Sequence, residues 1–387
     1  MLEPLIMKYN FDCRYFTGEK PCEFKRLCEG CDKYNPMGFN ILIIKLGAMG
    51  DVLRTTPLIE GLKKKHPKSY ITWLVDPASN DLLKNNKQID RILHFSLNST
   101  LILMVQEFNL LVCLEKEVRA VALAEKITAK RKVGFGLTKY GNIRPFTKEA
   151  EYAFQLGVSD QLKFFENKKT YQKIIFEAVG LSYKGEKYQL TCSTENDEFA
   201  NKLFKKLNFN SKDFIIGINA GAGSVFANKA WTLEGYVEVI KRLNKQTGLK
   251  ILLMGGKSET EINKEIKNKM SGPLYEAGNH NFLLQFSSLI KKCDLVICGD
   301  TLPMHLAIAH EKHVLALFGP TCPQEIDLYG KGEIIFSPIE CAPCYKGTCN
   351  IKNHCMKMIS VDTVYDKTMQ LVEKIGNAKL DSSRSLS

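Results

Sequence analysis

The chain has 387 residues, 44% of them apolar and 25% charged, with a formal net charge of +12 at pH 7. This composition supports two ordinary globular domains and excludes a disordered or fibrous chain. No apolar run approaches the roughly 18 residues of a membrane span, and residues 1–10 lack the basic start and apolar stretch of a secretory signal, so a cytoplasmic protein is expected.

The excess of positive charge suits anionic partners such as phosphorylated glycans or lipid headgroups, and peripheral contact with a membrane face. It gathers in Lys63, Lys64, Lys65, His66 and Lys68, and again in Lys126, Lys130, Arg131 and Lys132. Helix-turn-helix, zinc-finger and RNA-binding signatures are missing, so nucleic acid is not the expected partner.

Residues 1–37 form a cysteine-rich prelude. A short apolar run closed by glycine predicts a buried parallel strand over 40–46, and a tight turn follows at 47–51. Helical periodicity then runs over 52–66 and stops before Pro67. Further strands are predicted over 70–76, 89–95, 109–114 and 131–135, with helices between them. A polar stretch at 181–195 reads as a linker. The alternation restarts with strands over 214–219, 250–254, 295–298 and 314–318, and helices over 233–246, 259–269, 282–292 and 303–310. The fold class is therefore α/β: two Rossmann-like, doubly wound domains, 38–180 and 196–360, facing a central cleft. A last helix and a frayed tail occupy 361–387.

The candidate chemistry sits at strand ends. Gly47-Ala48-Met49-Gly50-Asp51-Val52 follows the first strand and opens a helix. Its glycines allow close backbone approach, and Asp51 reads either as a general base or as a helix cap. Asn219-Ala220-Gly221-Ala222-Gly223-Ser224 closes another strand in small residues whose amides can hold phosphate, and Lys229 follows as a cation. The plainer reading of Lys229 is a solvated surface lysine. Cys298-Gly299-Asp300-Thr301-Leu302-Pro303-Met304-His305 places Thr301 and the following amides at a positive helix end, with His305 one turn in. Gly319-Pro320-Thr321 closes one more strand at the same edge. The convergence of these motifs, more than any single one, argues for a diphosphate seat opposite a carboxylate.

The segment from Ile41 to Pro57, together with Lys229-Ala230-Trp231, Gly299 to Ala307 and Phe318 to Thr321, resembles glycosyltransferase family nine, the ADP-heptose:lipopolysaccharide heptosyltransferases. The resemblance runs from about residue 40 to beyond 355. It implies a GT-B architecture, a nucleotide-sugar donor held by the second domain, a lipid-linked glycan acceptor, and an inverting mechanism that needs no metal or other cofactor. By position it makes Asp51 the catalytic base and Lys229 the phosphate-binding lysine. It also makes Asp300, Thr301 and His305 donor-binding residues and sets Gly255, Gly256 and Glu259 against the nucleoside; the small-residue turns themselves add Gly50, Asn219, Gly221 and Ser224 to the donor-binding set. Leucine stands at position 302, where the family usually has glycine, which bears on the donor more than on the fold.

Eight of the 13 cysteines lie in two sets, Cys13, Cys22, Cys28 and Cys31, and Cys341, Cys344, Cys349 and Cys355. Each set contains one Cys-x-x-Cys pair, the spacing of a structural zinc or iron–sulfur site; disulfides and free thiols are the other readings. The C-terminal set resembles a cysteine-rich segment of many family members. Cys113, Cys192, Cys293, Cys298 and Cys322 read as small core residues. Two other functions remain open at this level. An NAD-dependent oxidoreductase would place Asp76 on a ribose, although the turn lacks G-x-G-x-x-G, and a metal-stabilised, non-catalytic binding module would use the basic surface.

Overall fold

The computed structural model describes residues 8–210, 212–222 and 227–384. Two α/β domains follow one another, each built on a mostly parallel sheet. The first contains β1 (Asn40–Ile44), β2 (Tyr70–Val75), β3 (Arg91–His94), β4 (Glu107–Cys113), β5 (Thr128–Leu137) and β6 (Ile143–Pro145), in the order β3-β2-β1-β4-β5-β6. The second contains β7 (Phe214–Asn219), β8 (Leu249–Met254), β9 (Tyr275–Glu276), β10 (Leu295–Gly299), β11 (His313–Phe318) and β12 (Gly332–Phe336), in the order β12-β11-β10-β7-β8-β9. Only the short β5–β6 pair is antiparallel among the pairs described.

Helices cover both faces. The first domain carries α1 (Met49–Thr55), α2 (Pro57–Lys65), α3 (Leu97–Val105), α4 (Val118–Lys126), α5 (Glu151–Gln155) and α6 (Tyr171–Ala178). The second carries α7 (Thr194–Lys206), α8 (Leu233–Leu243), α9 (Thr260–Lys269), α10 (Leu283–Lys292), α11 (Leu302–Ala309) and α12 (Val361–Arg384). Burial on two sides explains why β1, β7 and β10 read as continuous apolar runs rather than alternating ones. Trp231 is packed in the second domain's core, where its indole N–H donates to Ile359 O at 3.0 Å.

Several expected elements change. The single helix over 52–66 is two, because Pro57 opens α2 and Thr56 ends α1. The stretch 181–193 has no helix or strand, but Glu195 already belongs to α7. Strand β12 and helix α7 were not read from the sequence; both are mostly polar or short. The last helix packs on α8, β11 and β12, and so stays with the second sheet. Residues 8–37 form no helix or strand beyond a bridge between Cys13 and Pro36. Arg14 anchors them by pairing with Asp90 and donating to Lys68 O at 3.2 Å and Ser69 O at 3.3 Å.

Gly134, inside β5, has φ +83°, and a Cβ built there would lie 2.0 Å from the Cys113 carbonyl oxygen. Gly134→Ala combines a disfavoured backbone with a clash against β4. It is expected to destabilise the first domain by about 2 kcal/mol or more, visible as a lowered midpoint in a thermal melt.

Candidate functional site: a cleft between two strand-end edges

Asp51 sits in the first turn of α1, just beyond β1. The N-cap is Ala48 and no side chain caps the helix, so the capping reading of Asp51 does not hold. Its Oδ1 instead pairs with Arg54 Nη2 at 2.9 Å, one turn along the same helix. Partial burial works against ionisation of this carboxyl, but Arg54, Lys45, His305 and Lys229 outweigh it and hold its pKa below the usual carboxylate range. Lys45, buried at the end of β1, is paired with Glu115 at 2.9 Å and donates to Gly47 O at 2.8 Å.

The influence of His305 and Lys229 on Asp51 places the second domain within electrostatic reach of the first. Gly50 is the point of contact: a Cβ there would stand 2.6 Å from His305 Cδ2 and 3.1 Å from Nε2. Only glycine lets α1 press against α11 at this distance. Burial pushes the His305 imidazole down to about 4, with the Arg54 charge adding to the effect, so the ring is neutral at pH 7. Its Nδ1 lies 3.3 Å from the Tyr188 hydroxyl.

Lys229 is not a solvated surface lysine. Its Nζ pairs with Asp300 Oδ2 at 2.8 Å, and both side chains are largely buried. Despite burial, Lys229 and His305 keep the Asp300 carboxyl below its usual pKa. Thr301 is the N-cap residue of α11 but makes no capping bond; its hydroxyl donates to Gly299 O at 3.3 Å. Asp300, Thr301, Leu302 and Pro303 form one wall of a cavity of about 670 Å³. Asn219, Gly221, Gly255, Gly256 and Glu259 line it too, and Met49, Pro77, Ala78 and Asp81 close it from the first domain. Asn219 uses its amide to reach Met254 O at 3.3 Å, tying the ends of β7 and β8. Glu259 accepts from Gly256 N and from the Ser258 hydroxyl, each at 2.7 Å, and a Cβ on Gly221 would fall 2.1 Å from its Oε1. The glycines here make room for this carboxylate.

Most of the expected site residues thus meet at one cleft. Asp51, Gly50, Lys229 and His305 adjoin the cavity rather than line it, and Asp300 links the two groups. Ser224 lies outside the described residues. Asp76 is paired through both of its oxygens with Arg119, at 2.9 and 3.1 Å. Sequence reasoning missed Arg54, Lys45, Tyr171 and Glu325 around Asp51, and Asp81 and Asn281 in the cavity wall. For Arg54 a signal existed in its i+3 spacing from Asp51. For the others, contact comes only from folding.

Each cysteine set is gathered in one place: Cys341, Cys344 and Cys349 lie close enough to Cys355 to add to burial in raising its thiol pKa. Cys13, Cys22, Cys28 and Cys31 line a cavity of about 20 Å³. Cys341 and Cys349 are exposed, while Cys355 is turned into the core against Gly319 and Met356. Burial pushes the Cys355 thiol up to about 11. All 13 thiols are free, and among the described residues no three His, Cys, Asp or Glu side chains are arranged to hold a metal ion. Cys113, Cys293, Cys298 and Cys322 are buried, and Cys192 is partly so.

Two α/β domains thus bring a carboxylate from one within electrostatic reach of an ammonium and an imidazole from the other. Residues 102–355 match the model of glycosyltransferase family 9 (heptosyltransferase), and the chain belongs to that family. It is 25% identical over 315 residues to a lipopolysaccharide core heptosyltransferase, OpsX, of Haemophilus influenzae, covering 78% of this chain and 85% of the relative. The family 9 glycosyltransferase structure from Veillonella parvula superposes with a TM-score of 0.69 at 18% identity, over 87% of this chain and 98% of the other. The ADP-heptose lipopolysaccharide heptosyltransferase II of E. coli superposes at 0.63 and 17% identity, over 87% and 99%. The fold is GT-B, and the protein is a glycosyltransferase of the heptosyltransferase family.

Because Gly50 touches the His305 ring, Gly50→Ala is expected to push α1 off α11. Turnover should fall by about tenfold or more while the affinity for a nucleotide donor stays within about threefold, as read by steady-state kinetics and calorimetric titration.

Proposed function

We propose that this enzyme transfers heptose from ADP-heptose to a lipopolysaccharide core, or a related lipid-linked glycan, by a single inverting displacement without a catalytic metal ion. The observation that carries the reading is the approach of Asp51 to the Lys229–Asp300 pair and to the N-terminus of α11. It is supported by the E. coli structure's being an ADP-heptose enzyme and by the lipopolysaccharide core relative from Haemophilus influenzae.

In this mechanism Asp51 takes the proton of the acceptor hydroxyl as that oxygen attacks the anomeric carbon, on the side opposite the nucleotide. The bond from the anomeric carbon to the diphosphate oxygen breaks, and ADP leaves with the electron pair. Lys229, the Thr301 hydroxyl and the first amides of α11 neutralise the charge that grows on the diphosphate. Its bonds to Asp300, at 2.8 Å to Oδ2 and 3.5 Å to the backbone O, hold the Lys229 ammonium beside the N-terminus of α11. The nucleoside lies against Gly255, Gly256 and Glu259, and the diphosphate near Asn219 and Gly221. A structural zinc or iron–sulfur site at the cysteines forms no part of this proposal.

The acceptor side is proposed to work at the cytoplasmic face of a membrane. No helix among the described residues is long and apolar enough to cross one. Helix α3, however, is inverted: it buries Ser99 and Leu103 and turns Leu97, Leu101, Ile102, Met104 and Val105 outward, with Leu97 74% and Val105 85% exposed. Such a stripe on a basic protein suits an anionic lipid surface. Leu101→Glu with Val105→Glu should reduce co-sedimentation with phosphatidylglycerol vesicles several-fold while leaving transfer to a detergent-free, deacylated acceptor intact; undiminished vesicle binding would remove α3 from this role.

Asp51→Ala should lower turnover by about 10²–10⁴-fold while ADP-heptose binding survives. Turnover near that of the unaltered enzyme would take the base role away from Asp51. Transfer should persist in excess EDTA; complete loss restored by magnesium would overturn the metal-free leaving-group argument.

A further inference from the structure

We infer that Arg54 is a positioning residue that sets the Asp51 carboxylate for proton transfer and couples it, through Glu325, to the meeting of the two domains. The inference rests on the assignment of Asp51 as the base and adds a second residue to that function.

Three elements fix the Arg54 side chain. On its own helix, Nη2 reaches Asp51 Oδ1 at 2.9 Å. From the second domain, Glu325 Oε2 stands 3.7 Å from Nη1; Glu325 ends the short turn Pro323–Glu325 and is almost fully buried. From α6, the Tyr171 ring lies flat under the guanidinium, 3.8 Å from its carbon. The backbone is held as well, since the Gln172 amide donates to Arg54 O at 3.2 Å. A planar, permanently charged fork can face two carboxylates at once while stacking on an aromatic ring, and lysine cannot reproduce all three.

The arrangement has a functional consequence. Arg54 engages one oxygen of Asp51, Oδ1, which fixes the plane of the carboxylate and leaves Oδ2 to accept the proton. Glu325 belongs to the other domain, so the restraint is complete only when the two domains are together. The charged and titratable groups that face Asp51 are Arg54 from its own helix, Lys45 beyond β1, Lys229 from the turn before Trp231, His305 from α11 and the Tyr171 hydroxyl from α6. Arg54 is the cation with the largest effect on the Asp51 carboxyl. A carboxylate whose pKa is depressed stays ionised until the pH falls through that lowered value, so activity lost on the acid side reports on Arg54. Removing the cation raises the Asp51 pKa and moves that loss to higher pH.

The experiment compares the full-length enzyme with Arg54→Met, Arg54→Lys, Glu325→Gln and Asp51→Asn, measuring kcat, the donor KM, the pH dependence of kcat and the thermal midpoint. Arg54→Met should lower kcat by about thirtyfold or more with the donor KM within about threefold, and shift the acid limb upward by about one pH unit. Arg54→Lys should recover part of kcat and keep the acid limb near its original place, because the charge remains and the fork does not. Glu325→Gln should lower kcat by about tenfold with little change in donor KM. An Arg54→Met enzyme with unchanged kcat and pH profile overturns the inference. So does a loss of kcat with an unmoved acid limb that Arg54→Lys fails to restore, which marks a merely structural role. Should Arg54→Met not fold, unaltered kcat in Glu325→Gln overturns the coupling to the second domain. An active Asp51→Asn enzyme brings down the base assignment itself, whereas an inactive one beside an unaffected Arg54→Met enzyme removes Arg54 alone.

Discussion

The close meeting of α1 with α11, made possible by the missing side chain at Gly50, sets the distances in the cleft. Two helix N-termini from different domains are brought face to face there. One presents a carboxylate, Asp51, and the other presents the amides of Thr301 and Leu302 beside the Lys229–Asp300 pair. Each helix end favours negative charge on its own. Brought together, they make a place where an attacking oxygen can lose a proton on one side while a diphosphate departs on the other. A bulkier residue at position 50 would separate the two ends before any chemistry became relevant.

Charge balance in the cleft follows from this contact. Lys45 answers Glu115, Arg54 answers Asp51 and Glu325, and Lys229 answers Asp300. Every one of these ions is at least partly out of water, where an unpaired charge is costly. The pairing leaves His305 as a neutral ring between the two sides, kept so by burial and by the Arg54 charge. A neutral imidazole can touch Gly50 and Tyr188 without adding a further cation to a site that already has three.

The motifs show where reading residues in order succeeds. The apolar runs of β1, β7 and β10, the glycines after them and the proline in the first turn of α11 depend on neighbours within a few residues, and each lies where periodicity and turn chemistry put it. Lys229 shows the limit of that reading. Taken alone it is a surface lysine; only its pairing with Asp300, 71 positions later, makes it a buried cation. The cysteine sets show a different limit, since spacing alone leaves their ligand open. Their spacing suits thiolate ligands, and the fold adds what spacing does not encode: Cys355 is buried against Gly319 and Met356 while Cys341 and Cys349 stay exposed. Helix α3 shows the same limit: its residues are mostly apolar, yet the fold buries Ser99 and Leu103 and leaves Leu97 and Val105 exposed.

The sequence by itself determined the α/β class, the two successive sheets, and the strand-end motifs around Asp51, Asn219 and Thr301, because parallel strands buried on both faces and glycine-punctuated turns are local signals. Tertiary structure alone decided which of those motifs share a cleft, which carboxylate answers which cation, and that Arg54 joins Asp51 to Glu325. Apart from the Asp51–Arg54 pair on one helix, these partners lie far apart in the chain, and the Arg54–Glu325 pair forms only where one domain packs against the other.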